Sequence, residues 1–153
     1  MIYTENTKKA MKFAYEKHSG QLDRAGLPYI FHPFHLAEQM NDEDSVVVAL
    51  LHDVVEDTDT TFDDLESMGF SDRVIAAIKL LTRQDTTDYF EYVKKISTDP
   101  IATKVKIVDL DHNSDLSRLK KVSEKDIARV EKYKKCLEFL TGVIKELIND
   151  TSL

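Results

Sequence analysis

The sequence predicts an all-α fold, and three observations carry that reading. Apolar residues recur at helical spacing in most windows of the 153-residue chain. Only four Gly and three Pro are present, too few for the turn chemistry of an all-β fold. Ser, Thr and Asp stand ahead of several apolar-periodic segments, where helix N-caps belong. No repeat, low-complexity segment or linker divides the chain, so a single domain over residues 1–153 is expected.

The first helix is expected over Glu5 to Lys17, with Ala10, Phe13, Ala14 and Lys17 on one stripe. Ser19 to Pro28 holds two glycines and a proline and reads as loop. A short helix follows from near Pro33, which suits a first helical turn, to about Met40. The next runs from Ser45 to about Asp57 and contains the aliphatic run Val46 to Leu51. Thr61-Phe62-Asp63-Asp64 has capping-box form and opens a short helix that stops at Gly69. Ser71 caps another, to about Thr82, and Asp88 to Ile96 is also read as helical. Asp99-Pro100 pairs an N-cap with proline at the first position and opens a helix through about Asp109. Ser123-Glu124-Lys125-Asp126 is a second capping box. It opens the longest helix, with Ile127, Val130, Leu137, Leu140, Ile144, Leu147 and Ile148 as its buried stripe. No strand is required.

Composition narrows the function classes. The longest aliphatic run is six residues, so no membrane association is expected. The first residues lack the basic and apolar regions of a secretory signal, and none is expected. A lone Cys136 cannot form an internal disulfide, so a reducing, cytoplasmic setting is expected, with Cys136 in the core. A net charge of −7 argues against nucleic-acid binding. Between Ala25 and Asp72 stand twelve carboxylates and no Lys or Arg; from Arg73 onward, sixteen Lys and Arg face thirteen carboxylates. Part of the acidic middle is therefore read as balanced by something outside the sequence, such as a metal cation, with Asp42-Glu43-Asp44 an ordinary solvated surface.

Residues 49–58 read ALLHDVVEDT. On a continuous helix, Asp53, Glu56 and Asp57 would sit about 100°, 40° and 140° from His52, all within one half of the cylinder. Val47, Leu50, Leu51, Val54 and Val55 cover much of the rest. Such a helix is buried nearly all round, with a polar patch facing an interior cleft. Burying unpartnered carboxylates costs several kcal/mol each, a cost that protonation or a cation removes. Taken alone, a hydrogen-bonded core histidine with surface carboxylates explains the segment equally well. Two other places shift that balance. Tyr29-Ile30-Phe31-His32-Pro33 puts a histidine at a helix start, and Asp109 stands at the end of an apolar helical segment. His32, His52, Asp53 and Asp109 make a two-nitrogen, two-oxygen ligand set without thiolate. That set suits Mn²⁺, Fe²⁺ or Zn²⁺ and leaves positions open for water.

The series His32, His52-Asp53, Asp109 resembles the HD superfamily of metal-dependent phosphohydrolases. Gly20-Gln21, Gly26-x-Pro28-Tyr29-Ile30-x-His32-Pro33, Ala49 to Thr58, and Val105 to Asp109 with Asn113 look like the (p)ppGpp hydrolase domain. That domain occurs in the long stringent-response enzymes and in stand-alone small alarmone hydrolases. The resemblance covers about residues 5 to 120. It implies an all-α HD-domain bundle around one metal, with Mn²⁺ held by His32, His52, Asp53 and Asp109. Glu56 and Asp57 would then handle the proton and orient the attacking water. The implied reaction removes the 3′-pyrophosphate of a small nucleotide, leaving GDP or GTP.

Two positions depart from the family pattern. Its loop carries two adjacent basic residues that contact the nucleotide; here they read Asp23-Arg24. Arg24 remains as a contact, and Asp23 would repel phosphate or alter base recognition. The family's Asp-Arg pair reads Asp109-Leu110, leaving Lys106 and Asn113 as phosphate and ribose contacts. Alternatives on the same site are removal of the 2′-phosphate of NADPH and a metal-bound nucleotide sensor without turnover. The remaining candidates take plainer roles. His35 flanks the site or the surface, His112 pairs with Asp111 at the surface, and His18 suits a helix C-terminus. Tyr89 and Tyr92 pack into the core, and Arg118-Leu119-Lys120-Lys121 is a solvated basic turn. Lys132 to Lys135 lie on the exposed face of the last helix, which either closes the bundle or pairs with a copy of itself.

Overall fold

The computed structural model describes residues 1–84 and 86–151. Among them the only β pairing is an isolated bridge between Leu22 and Pro28, and the regular elements are helices. These are α1 (Glu5–Lys17), α2 (Phe31–Glu38), α3 (Glu43–Leu51), α4 (Val54–Asp57), α5 (Phe62–Ser67), α6 (Asp72–Leu81), α7 (Tyr89–Ile96), α8 (Pro100–Asn113) and α9 (Glu124–Thr151), with a 3₁₀ turn at Leu116–Arg118. The all-α expectation holds.

Local chemistry sets most of the starts. The Thr61 hydroxyl accepts from the Asp64 N–H while Asp64 accepts from the Thr61 N–H, the reciprocal box that opens α5. Ser71 caps α6, Asp88 caps α7, and Asp99 caps α8 ahead of Pro100. Past the end of α5, Gly69 takes φ +85°, a conformation in which a Cβ would be strained.

Helix α3 is the centre of the molecule. Every residue from Ser45 to Leu51 is buried, and α1, α2, α6 and α8 pack around it. A helix that is apolar all round can only be a core element. Burying each of its Val and Leu side chains contributes about 1.5–3 kcal/mol.

Four expectations are corrected. The helix expected over Ser45 to Asp57 is two helices, α3 and α4, separated at His52-Asp53. His52 Nδ1 lies 2.7 Å from the Ala49 carbonyl, so a side chain takes a bond the backbone ladder would otherwise use. Asp53 turns to φ −106°, ψ −1°. Helix α2 begins two residues before Pro33, which then sits at its third position. No N–H in that first turn needs a helical acceptor, so proline is tolerated there. Helix α8 continues past Asp109 to Asn113, because nothing before the Ser114 C-cap breaks it. In α9, Val130, Cys136 and Leu140 are buried, whereas Ile127, Leu147 and Ile148 are exposed. That helix packs on α7 and α8 through its middle, so its periodic stripe outruns the surface it covers. No helix among the described residues is long and apolar enough to cross a membrane.

Candidate functional site

Three elements bring buried polar side chains to one point. His32 comes from the first turn of α2, His52 from the break after α3, and Asp109 from the C-terminal half of α8. They are only 3%, 2% and 5% exposed. Each offers one ligand atom, and these atoms lie within 4.8 Å of one another. His32 Nε2 is 2.9 Å from Asp109 Oδ1. His52 Nε2 is 3.0 Å from Asp53 Oδ2 and 3.7 Å from Asp109 Oδ1, and it makes no hydrogen bond. Asp53 accepts from the Tyr29 hydroxyl. Asp109 also takes Lys106 Nζ at 2.8 Å and Asn113 Nδ2 at 2.9 Å.

These donors fit a divalent cation. The Ala49 carbonyl fixes the His52 proton on Nδ1, which leaves the Nε2 lone pair turned toward two carboxylates. That arrangement is repulsive unless positive charge stands between the groups. Burial pushes the His52 pKa down, but Asp53 and Asp109 raise it well above the ordinary histidine range. The site therefore calls for a positive charge at Nε2, and a divalent ion supplies it while leaving the imidazole neutral. Nitrogen and carboxylate donors without thiolate match a borderline or hard ion.

Beside this point opens a cleft of about 510 Å³, within the size range of small-molecule sites. Its buried and half-buried floor includes His32, Asp53, Lys106 and Asp109; the exposed carboxylates of Glu56 and Asp57 stand beside it, and Arg24, Arg83, Tyr89, Arg118, Arg129 and Tyr133 line the rest. Glu56 Oε1 accepts from the Arg83 backbone N–H at 2.7 Å. Burial raises the Glu56 pKa. Asp57 is pushed up to about 6, by burial first and then by the charges of Asp53 and Glu56. On Asp109 burial acts upward, but Lys106 and the two histidines hold it well below the usual carboxylate range.

The family model for the HD domain matches residues 10–144. The chain belongs to the HD domain family. It is 32% identical over 140 residues to guanosine-3′,5′-bis(diphosphate) 3′-pyrophosphohydrolase of Aquifex aeolicus, with 83% of this chain and 20% of that protein covered. It is 46% identical over 68 residues to guanosine-3′,5′-bis(diphosphate) 3′-pyrophosphohydrolase MESH1 of Danio rerio, with 39% of this chain and 38% of that one covered. The matched segments thus cover less than half the length of either relative. A solved structure of a metazoan SpoT orthologue that hydrolyses ppGpp superposes with a TM-score of 0.77. It shares 23% identity and covers 94% of this chain and 89% of that one, a likeness of fold.

Within this HD domain, the side chains read from the sequence fall into two groups. His32, His52 and Asp109 converge, Asp53 joins them through His52 Nε2, and Glu56 and Asp57 line the same cleft. The expected nucleotide contacts are placed differently. Lys106 and Asn113 border the cleft, yet both direct their polar heads at Asp109. Lys106 is buried beneath Tyr92 and Tyr89, with Nζ 5.1 and 5.7 Å from the ring centroids. Arg24 stands on the rim, its side chain 69% exposed and 3.6 Å from Asp126. Leu110 is a core residue.

Asp23 is not a free anion. Its carboxylate accepts from the N–H groups of Ala25 and Leu27 and pairs with Arg118 at 2.9 Å. Arg118 is therefore not a solvated turn residue, since it also donates to the His112 carbonyl at 3.1 Å. The expected pairing of His112 with Asp111 is also replaced. The His112 ring lies against His32, with Nδ1 to Nδ1 2.7 Å, and burial together with Arg118 lowers its pKa to about 4. Its signal was its position three residues after Asp109, which matters only if the helix continues. His18 is buried, with Nδ1 2.8 Å from Gln21 Oε1. Gln21 in turn donates to the Asp57 carbonyl. His35 is exposed and packs on His112. Tyr92 is a core residue as expected, its hydroxyl donating to Leu81, whereas Tyr89 faces the cleft.

Proposed function

We propose that this HD-domain chain is a metal-dependent phosphohydrolase that removes the 3′-pyrophosphate of (p)ppGpp or a close nucleotide relative, leaving GDP or GTP. The observation that carries the reading is the bare His52 Nε2 among Asp53, Asp109 and His32, with two further carboxylates on the same cleft. The names of the Aquifex and Danio relatives support the substrate class. His32, His52, Asp53 and Asp109 would hold the ion, with Mn²⁺ our choice and Fe²⁺ or Zn²⁺ compatible with the same donors. A reducing, cytoplasmic setting belongs to the same reading.

When bound, the ion supplies a Lewis acid for a phosphoryl oxygen and makes hydroxide available from water near neutral pH. The chain's own groups do the rest. Asp57, with its pKa near 6, is ionised at pH 7 and accepts a proton from the attacking water. Glu56 is fixed through one oxygen by the Arg83 N–H, so its other oxygen can orient that water. Lys106 and Asn113 hold Asp109 in register. The guanidiniums of Arg24 and Arg83 supply the phosphate-facing charge, while Arg129 is paired with Asp126 at 2.9 Å.

The test is incubation of Mn²⁺-reconstituted protein with ppGpp, pppGpp and NADPH, with products separated by chromatography. Pyrophosphate with GDP or GTP is expected. Orthophosphate from NADPH alone would reassign the site as a 2′-phosphatase. Binding without turnover, unchanged in Glu56→Ala, would make the chain a sensor.

A further inference from the structure

The proposed chemistry uses one face of His32 and leaves the other unexplained. His32 Nδ1 points away from the cleft and meets Nδ1 of His112 at 2.7 Å. The two rings are within 9° of parallel and their centroids are 5.0 Å apart. Parallel rings with those two distances lie edge to edge, with the short contact along the line joining them, so this is an in-line hydrogen bond rather than a stack.

Such a contact holds one proton, and its side matters. A neutral imidazole has one N–H donor and one lone-pair acceptor. If His32 presents the Nε2 lone pair to a cation, its proton must sit on Nδ1 and needs an acceptor there. His112 Nδ1 is that acceptor, which puts the His112 proton on its Nε2. The backbone holds this partner in place: His112 stands on the last turn of α8, one turn beyond Asp109, and its carbonyl is tied down by Arg118. One helix thus carries both a cation ligand and the group behind a second ligand.

We propose that His112 is a positioning residue that fixes His32 in its Nδ1–H tautomer and aims Nε2 at the cation. The inference rests on the metal-dependent reading above and adds a residue that acts only through His32. Removing the hydrogen-bond partner of a metal-bound histidine typically weakens metal binding by about 10–100-fold.

The experiment compares wild type with His112→Leu, which has no acceptor, and His112→Asn, whose amide oxygen stands near the lost Nδ1. Zn²⁺ dissociation constants come from chelator competition, the His32 tautomer from ¹⁵N-resolved imidazole NMR of the Zn²⁺-loaded protein, and folding from circular dichroism. The expected result is binding weakened about 10–100-fold in the Leu variant, near wild type in the Asn variant. His32 should carry its proton on Nδ1 in wild type and in His112→Asn. A Leu variant that binds Zn²⁺ like wild type overturns the inference alone. So does a loaded wild type with the His32 proton on Nε2. Should the Leu variant fail to fold, the Asn affinity and the wild-type ring signals decide. A wild type that binds neither Zn²⁺ nor Mn²⁺ overturns the metal reading as well.

Discussion

The floor of the cleft and its rim are built by different means. At the floor and directly behind it, His32, His52 and Asp109 are almost fully buried, and each is held by a second contact: His112, the Ala49 carbonyl, and Lys106 with Asn113. On the rim, Arg24 is mostly in solvent, and Arg118 pairs with Asp23, which lines the same cleft. Packing over-determines the floor, and opposite charges adjust the rim. The floor therefore reads as fixed chemistry and the rim as tunable recognition, a division that substitutions can break.

The largest effect is expected at Asp109. Asp109→Ala removes a proposed cation ligand and strands the buried Lys106 ammonium. Breaking a buried ion pair from one side costs about 3–5 kcal/mol, so denaturant melts should show a loss of that order together with loss of divalent-ion binding. A variant as stable as wild type would mean that Lys106 does not depend on Asp109, and the floor would not be the rigid half of the comparison.

Next come Glu56 and Asp57, exposed carboxylates beside the floor that are proposed to act on the attacking water. Glu56→Gln and Asp57→Asn should lower kcat by about 10²–10⁴ while metal affinity stays unchanged. Asp57 also carries a pH signature. Its pKa of about 6 lies above the ordinary aspartate value, so the folded state holds the proton more tightly than the unfolded chain. Stability of the metal-free protein should thus be highest below about pH 4 with respect to this group and fall as pH rises through about 6. After solvent screening of this partly exposed carboxylate, the effect is at most about 1 kcal/mol. Asp57→Asn should accordingly raise the melting temperature at pH 7.5 and leave it unchanged at pH 4. The opposite sign would mean that a cation or a hydrogen bond stabilises the carboxylate.

The floor was the more legible half for the same reason that it is rigid. His32, His52-Asp53 and Asp109 each adjoin a local apolar run, and burial of such runs forces their polar neighbours inward. The helix break at His52 was not legible, because it depends on a side chain competing for the Ala49 carbonyl. His112 was hidden because Asp111 interrupts the apolar pattern of a helix that continues regardless. Arg118 could not be read locally, since its partner Asp23 is 95 residues away. Periodicity assigned Ile127, Leu147 and Ile148 to one face of α9, but it does not say what covers that face.

A smaller effect is expected at Asp23. Asp23→Asn keeps an oxygen for the N–H groups of Ala25 and Leu27 but loosens the hold on Arg118. The released guanidinium should lower KM for ppGpp by about threefold, the scale of a partly exposed ion pair, and leave metal affinity unchanged. A higher KM would show that the pair itself shapes the nucleotide site.

Arg24→Ala is the mildest change and the sharpest test of the division. The side chain is largely solvated and its contact with Asp126 is long, so the melting temperature should not move. KM should rise, by less than about tenfold, because one screened cation is lost from the path of a polyanion. The kcat value should stay within about twofold, since a rim group that binds ground and transition state alike contributes nothing to the chemical step. If kcat fell as far as in Glu56→Gln, Arg24 would have to reach the reacting phosphate itself. Recognition and chemistry would then share one set of residues instead of two.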